Sequence, residues 1–364
     1  MNSRSRSKGG PPNRPLIGTG LQPGVKNGVR TSAASAAFPA QKTAEAVAFP
    51  PASDTGLRPG ANETGTETRT LRRCQPWLGT YVEISATGGD ARELQQAVDS
   101  ALAAVARVHW LMSFHDPASE VSRLNQRAAQ APVTVDAWTY EVLAAAQQLH
   151  QISGGVFDIA VAPRLIAWGF LPGESAAPRC PGTTADVQLR PHGQVFFQRP
   201  LQIDLGGLAK GFAVDRAVAA LQAAGVLTGS VNAGGDLRVF GSAPQPLRVR
   251  HPRDPAQTVS PLEISNEAAA TSAAYFTRRR HAGRWVSPLL DPLTSRPWLG
   301  RASVTVIAPN CLVADALTKI VALAPERAPE ILARYGARAL VISDTKQPRT
   351  RALRRKFSPC TSAA

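Results

Sequence analysis

The sequence predicts an α+β fold of mixed sheets with packed helices, preceded by a disordered N-terminal leader. Three observations point there. Tyr81-Val-Glu-Ile-Ser85 alternates apolar and polar side chains with the period of a half-buried strand. Leu94, Val98, Ala101, Leu102, Val105, Val108 and Met112 recur at spacings of three and four, which lines them on one helix face. Further strand-like and helical segments follow without strict alternation, whereas a doubly wound sheet needs strand and helix to take turns.

Residues 1–70 read as a basic, disordered leader, because Ser, Gly, Pro, Thr and Ala dominate and no apolar periodicity gives the segment a face to bury. Order is expected from near Leu71 to residue 344. Gly88-Gly89 separates the first strand from the first helix. A second helix is expected from about Asp136 to Ile152. Asp136 is its N-cap, Trp138, Val142, Leu143, Ala146 and Leu149 line one side, and Gly154-Gly155 stops it. Residues 171–193, rich in Pro, Gly and Ala, read as a surface loop. Gln194–Phe197 and Leu201–Leu205 read as short strands split by Arg199-Pro200. A helix then opens at Gly206-Gly207 and runs through Val214, Ala217, Val218 and Leu221 to Gly225. Ser230–Ala233 and Leu237–Phe240 are expected strands around a Gly234-Gly235 turn, with Leu247–Arg250 another. Thr271 to Asp291 reads as a loop with a hairpin and Ser303–Ala308 as a buried strand. Asp315–Ala322 and Pro325–Tyr335 read as helices, and Ala339–Ile342 as the closing strand. Residues 345–364 read as a basic, disordered tail.

The 364 residues suffice for a sizeable core, and the 43% hydrophobic content is ordinary for a globular chain. No apolar run reaches the roughly 18 residues of a membrane-spanning helix. The formal net charge of +15 is unevenly spread: +7 falls in residues 1–73 and +6 in residues 345–364. It therefore says little about the folded part. No basic motif interleaved with aromatics accompanies it, so no nucleic-acid partner is expected. Cys74, Cys180, Cys311 and Cys360 stand far apart with no CxxC pair, which argues against a cysteine zinc site. Met1–Arg30 lacks the apolar run of an export signal, and no lipobox-like run ends in Cys. The compartment is left open: cytoplasmic, or periplasmic if the start site is misassigned.

Four segments carry candidate chemistry. In Ile203-Asp-Leu-Gly-Gly-Leu-Ala-Lys-Gly-Phe-Ala-Val-Asp215, a strand ends at Asp204, two glycines turn the chain and a helix begins. Free N–H groups at a helix start favour anions, and Lys210 in its first turn would reach a phosphate or a flavin carbonyl. The same pattern also suits a plain strand–turn–helix with Asp204 as cap. It is neither a Walker loop nor a G-x-G-x-x-G turn. Val231-Asn-Ala-Gly-Gly-Asp236 suits either close backbone approach to a ligand or an ordinary hairpin turn. Gly154-Gly-Val-Phe-Asp158, followed by Trp168 and Phe170, offers either a flavin or adenine pocket or core packing. In Ala314-Asp-Ala-Leu-Thr318, Asp315 and Thr318 share a helix face, where a carboxylate and a hydroxyl would ligate Mg²⁺, a cation that takes hard oxygen donors. Read singly, Asp315 is a helpful acid at a helix start.

Taken together and in order, these segments resemble the ApbE family of flavin transferases, whose fold is related to the T-fold. The resemblance runs from Trp77-Leu-Gly-Thr80 to Ile342. It includes Met112-Ser-Phe-His-Asp-Pro-Ala-Ser-Glu-Val-Ser-Arg-Leu-Asn125, Gly155-Val-Phe-Asp158, Asp204-Leu-Gly-Gly-Leu-Ala-Lys-Gly211, Val231-Asn-Ala-Gly-Gly-Asp236, Ala270-Thr-Ser272, Asp291-Pro-Leu-Thr294 and Ala314-Asp-Ala-Leu317. It implies an FAD:protein FMN transferase that takes FAD and Mg²⁺ and moves FMN to a Thr or Ser hydroxyl of an acceptor flavoprotein, releasing AMP. Carried over, Asp204 and Lys210 hold FAD. Val156, Phe157 and Asp158 line its pocket, with Leu78 and Phe114 at the edge. The Gly207 carbonyl, Asp315 and Thr318 ligate the metal, and Asp315 doubles as the catalytic carboxylate.

Two positions depart from the family pattern. Lys319 stands four residues after Asp315, where the family often has Thr. Thr318 at plus three is the expected substitute ligand, with Lys319 turned away from the cation or placed on a flavin phosphate. Pro288 stands in Ser287-Pro-Leu-Leu-Asp-Pro292, where the family commonly has His. These departures favour an alternative in which the chain binds FAD without transferring FMN. The retained Asp204, Lys210 and Asp315 favour the transferase. The sequence shows no self-acceptor motif of the D-x-x-T-[GS]-[AS]-T kind.

Overall fold

The computed structural model describes residues 68–173, 182–252, 254, 257–343 and 350–353. The expected leader up to residue 67, the centre of the 171–193 loop and most of the expected tail lie outside the described residues.

Among the described residues, eight strands form the main sheet: β1 (Arg69–Trp77), β2 (Thr80–Gly88), β3 (Thr228–Ala233), β4 (Asp236–Phe240), β5 (Ala268–Ala273), β6 (Ser303–Ala308), β7 (Arg338–Ile342) and β8 (Thr350–Leu353). They lie side by side in chain order, each antiparallel to the next. At two points the sheet reaches into segments expected to be disordered. Arg69 and Thr70 pair with Gly88 and Thr87. Thr350–Leu353, in the expected tail, pairs with Ile342–Ala339. An open edge of unpaired N–H and C=O groups takes up a further strand through backbone bonds, which composition does not register.

Among the described residues, seven helices accompany the sheet: α1 (Ala91–Met112), α2 (Glu120–Arg127), α3 (Ala137–Ser153), α4 (Ala162–Ala167), α5 (Ala209–Ala223), α6 (Cys311–Leu323) and α7 (Ala328–Arg334). The Asp90 side chain caps α1 through Arg92 N and Glu93 N. Asp136 caps α3 as expected, and Gly154 closes that helix at φ 61°. The periodicity reading did not anticipate α2, where Ser119 accepts from Ser122 N, or the single-turn α4. Leu201–Leu205 joins no ladder. The Asn125 side chain stands in for a strand neighbour, accepting from Ile203 N at 2.7 Å and donating to Ile203 O at 3.0 Å. The Asp204 N–H goes to Ile159 O.

The sheet is covered on both faces. Val82, Ile84, Val231, Ala270, Val304 and Val306 pack under α1, α5 and α6 in the main core. Leu237, Val239, Ala269, Ile307 and Ile342 face the other way, against Leu247, Val249 and Ile264 of a hairpin formed by Gln245–Arg250 and Thr258–Ile264. With both faces covered, all six residues of β6 are buried, the polar Ser303 and Thr305 among them, and the Thr305 hydroxyl is satisfied by that of Thr271.

Candidate active site

The strand registers gather several motifs at one end of the sheet. Thr80 begins β2 just after the Leu78-Gly79 turn, whose positive φ angles of 57° and 71° suit a two-residue hairpin. Ala233 lies opposite Val82, so the Gly234-Gly235 turn and Asp236 fall at that same end. Gly234 N donates to Tyr81 O, and a Cβ at Gly234 would lie 2.5 Å from Thr80 Oγ1, so only glycine lets the two turns meet. Ser272, near the end of β5, arrives there as well.

Two helices bring the remaining groups to this end. α5 and α6 run antiparallel in very close contact. A Cβ at Gly211 would stand 2.3 Å from Cys311 O, so a side chain there is excluded. Asp215, one turn further along α5, caps the start of α6 by accepting from Cys311 N and Leu312 N, both at 2.9 Å. Arg238 of β4 holds the same carboxylate at 2.7 Å. The Asn310 side chain accepts from Val313 N. Fixed in this way, the first turn of α5 and the second turn of α6 present Lys210 and Asp315 to each other.

The result is a cluster of two carboxylates and two ammonium groups. Lys210 Nζ lies 2.7 Å from Asp236 Oδ2 and 3.5 Å from Asp315 Oδ2. Lys319 Nζ donates to Asp315 Oδ1 and, at 2.8 Å, to Asp315 O. Gly211 N approaches Asp315 Oδ2 at 3.4 Å. The side chains of Asp236 and Asp315 are 5% and 2% exposed, against 31% for Lys210 and 18% for Lys319. The acids therefore form the floor and the lysines the outer surface, so the cluster offers positive charge to an arriving anion. Burial pulls Lys210 down, but Asp236 and Asp315 outweigh it and hold its ammonium well above the ordinary lysine range. Burial pushes the Asp236 carboxyl up and the like charge of Asp315 adds to this, against the pull of Lys210 and Lys319. The Cys311 thiol beneath is pushed up by burial, with Asp215, Asp236 and Asp315 adding to it, which leaves it protonated and inert.

This arrangement bears on Lys319 and Thr318. Of the two placements expected for Lys319, turned away or on a flavin phosphate, the first does not hold: it points inward onto Asp315, because a carboxylate this deeply buried needs a charge partner and the i+4 position on a helix supplies one. Thr318 is engaged within the protein. Its fully buried hydroxyl donates to Asp315 O and meets Ser272 Oγ, each at 2.6 Å. A buried hydroxyl takes the nearest helix carbonyl when no water is at hand.

The other expected residues surround the cluster at different depths. A methyl group at Gly207 would touch Lys319 Cε and Phe157 Cε2, both at 3.8 Å, so these three converge on one small gap. Val156 and Phe157 are buried, at 7% and 4% exposure. The Phe157 backbone is pinned by Ser153 Oγ on its N–H and by His150 Nδ1 at its carbonyl. Asp158 serves the loop instead: its Oδ1 accepts from Ala160 N, Thr184 N and Thr184 Oγ1, and Oδ2 faces His150 at 3.4 Å. Asp204 does not cap α5, whose N-cap is Leu208. It turns on itself to accept from Gly206 N at 3.2 Å, and burial pushes its carboxyl up against the pull of His115 and Lys210. Leu78 and Phe114 lie partly buried against the main core. Leu293, in the turn fixed by Thr294 Oγ1 and Leu293 N on Asp291, reaches over Gly155. Asp236 and Ser272 were quoted in motifs but given no role. The acid directly after the Gly234-Gly235 turn was the available signal for Asp236; Ser272 was marked only by its place in Ala270-Thr-Ser272.

A model of the ApbE family matches residues 78–341. The FAD:protein FMN transferase of Salmonella typhimurium is 29% identical over 289 residues, covering 73% of this chain and 82% of that protein. That of Vibrio cholerae is 30% identical over 275 residues, covering 69% and 81%. Among solved structures, the ApbE protein of Thermotoga maritima superposes with a TM-score of 0.66 at 29% identity, covering 75% of this chain and 94% of that one. The flavin transferase ApbE of Vibrio cholerae gives 0.65 at 26% identity, covering 78% and 96%. With the family matched across most of its length and its motifs gathered at one end of one sheet, the chain belongs to the ApbE family.

Proposed function

We propose that this chain is an FAD:protein FMN transferase: it moves the FMN half of FAD to a Thr or Ser hydroxyl of an acceptor protein and releases AMP. The observation that carries this reading is the pair of lysines, Lys210 and Lys319, held above the buried Asp236 and Asp315 at the end of the sheet where the glycine turns meet. In the reaction, the acceptor oxygen bonds to the FMN phosphorus, the bond from that phosphorus to the oxygen bridging to AMP breaks, and one proton is released. Charge moves onto the departing phosphate, and fixed cations beside a developing anion are the largest lever a protein has on such a step. Lys210 and Lys319 are those cations. Asp315 acts as the positioning residue that aims both. Phe157 and Val156 offer an apolar wall for the flavin, Gly207 leaves room beside it, and Asp204 flanks Lys210.

Mg²⁺, which the resemblance implies, fits these residues poorly. Each carboxylate oxygen of Asp315 faces a proton donor, and so does its carbonyl. The Thr318 hydroxyl is occupied by Asp315 O and Ser272. No step is therefore assigned to a metal.

The test is to incubate the full chain with FAD and a peptide bearing a flavinylation motif, then read covalent FMN by in-gel fluorescence and mass, and AMP by chromatography. Peptide heavier by one FMN, with stoichiometric AMP, is the expected result. Tight FAD binding with neither product would instead support the FAD-binding alternative.

A further inference from the structure

We propose that Lys319 supplies, as a built-in ammonium, the positive charge that a divalent cation would bring to Asp315, so that this site binds the diphosphate of FAD without added metal. The inference rests on the transferase reading for its ligand and on the acid–lysine cluster for its chemistry.

The charges balance without a metal. Asp236 and Asp315 contribute two negative charges, and Lys210 and Lys319 two positive ones, all within ion-pair distance. A dication added to a neutral, mostly buried cluster would stand next to two ammonium groups with no unmatched anion to face them, and repulsion in a poorly solvated setting is severe. The donors point the same way. A hard cation needs several oxygens with free lone pairs. At Asp315, Oδ1 and the carbonyl are both taken by Lys319, and Oδ2 faces Lys210 and Gly211 N. Among the described residues, no group of three or more His, Cys, Asp or Glu side chains is arranged to hold a metal.

Lys319 is also placed to do the cation's work. Its Cε lies 3.8 Å from the position of a Cβ on Gly207, so its stem passes along the glycine turn that leads into α5. Its ammonium is anchored at two points on Asp315, so its position is set before any ligand arrives, and a preorganised charge needs no reordering on binding. A divalent ion must first be recruited from solution, whereas this charge is part of helix α6.

The experiment uses the full chain and two measurements that do not depend on turnover. In the first, Mn²⁺ is titrated in the absence of FAD and the free-ion spectrum is followed. The expected result is no bound Mn²⁺ that depends on Asp315, so wild type and Asp315→Asn give the same curve. One Mn²⁺ held by wild type and lost in Asp315→Asn would overturn the proposal. In the second, FAD affinity is read from flavin fluorescence in EDTA and in Mg²⁺. Wild type should bind equally in both, and Lys319→Met should bind about tenfold more weakly in EDTA, the effect of one lost charged contact. An Mg²⁺ requirement in wild type, or unchanged affinity in Lys319→Met, would overturn it. If Lys319→Met does not fold, the wild-type measurements decide alone. If FAD does not bind under any condition, the transferase reading fails, while the Mn²⁺ titration still reports on Asp315.

Discussion

Replacing Gly211 by Ala tests whether the α5–α6 contact builds the cluster. The new Cβ would sit 2.3 Å from Cys311 O, 2.6 Å from Cys311 C and 2.8 Å from Leu312 N, where ordinary contact begins near 3.4 Å. These atoms are backbone, so relief requires the two helices to part by about 1 Å. Overpacking of this kind costs about 1–3 kcal/mol, and the better helix propensity of Ala returns up to about 1 kcal/mol. The net loss of about 1–2 kcal/mol should lower the melting temperature by roughly 2–8 °C in a domain of this size. Activity should suffer more. Lys210 and Asp315 face each other across this contact at 3.5 Å, and a 1 Å misplacement of catalytic charges costs on the order of 10²-fold in rate. Melting curves and FMN transfer measured on the same preparation check both. Gly207→Ala provides the contrast, because its methyl meets Lys319 and Phe157 at an ordinary 3.8 Å. That variant should melt within a degree or two of wild type and bind FAD more weakly. A Gly211→Ala protein with wild-type melting and wild-type transfer would refute the reasoning.

Three further outcomes follow from the geometry. Thr318→Val should cost about 1–2 kcal/mol in chemical denaturation, because the Ser272 hydroxyl loses its buried acceptor, and should leave the response to Mg²⁺ as in wild type; an altered Mg²⁺ dependence would restore Thr318 as a ligand. Asp215→Ala should cost about 2 kcal/mol or more, since Cys311 N and Leu312 N lose their acceptor and Arg238 its partner, and unchanged stability would mean that water replaces the cap. Burial lowers His109 below the ordinary 6.5, with Asp116 opposing and His115 assisting. The folded state thus binds fewer protons there than the unfolded one. Its contribution is complete above about pH 6.5 and is lost as the pH falls below it. His109→Gln should flatten that part of the stability–pH curve, and an unaltered slope would count against the assignment.

Much of the fold was legible because local patterns do not need distant partners. The face of α1 from Leu94 to Met112, the Asp136 cap of α3 and the β-branched Val304-Thr-Val-Ile307 of β6 each follow from short-range pattern. Composition likewise marked Gly234-Gly235 as a turn. Where the partner was remote, the sequence was silent or misleading. Ile203 looked like a strand residue but bonds to the Asn125 side chain. Thr350–Leu353 looked like tail but completes an open edge.

The same division holds at the active site. The sequence by itself determined which residue types were available: Asp204, Lys210, Asp236 and Asp315, each beside a glycine turn or near a helix start, and Lys319 one helical turn after Asp315. Only the tertiary structure decided which acid meets which base. Gly211 lets α6 approach α5, and burial of Asp315 to 1% exposure makes an unpaired carboxylate there too costly. That desolvation draws Lys319 inward, whereas spacing left it either turned away or placed on a flavin phosphate. Spacing along a helix names the face a side chain occupies, but the charge and dielectric of what packs against that face decide where its end group goes.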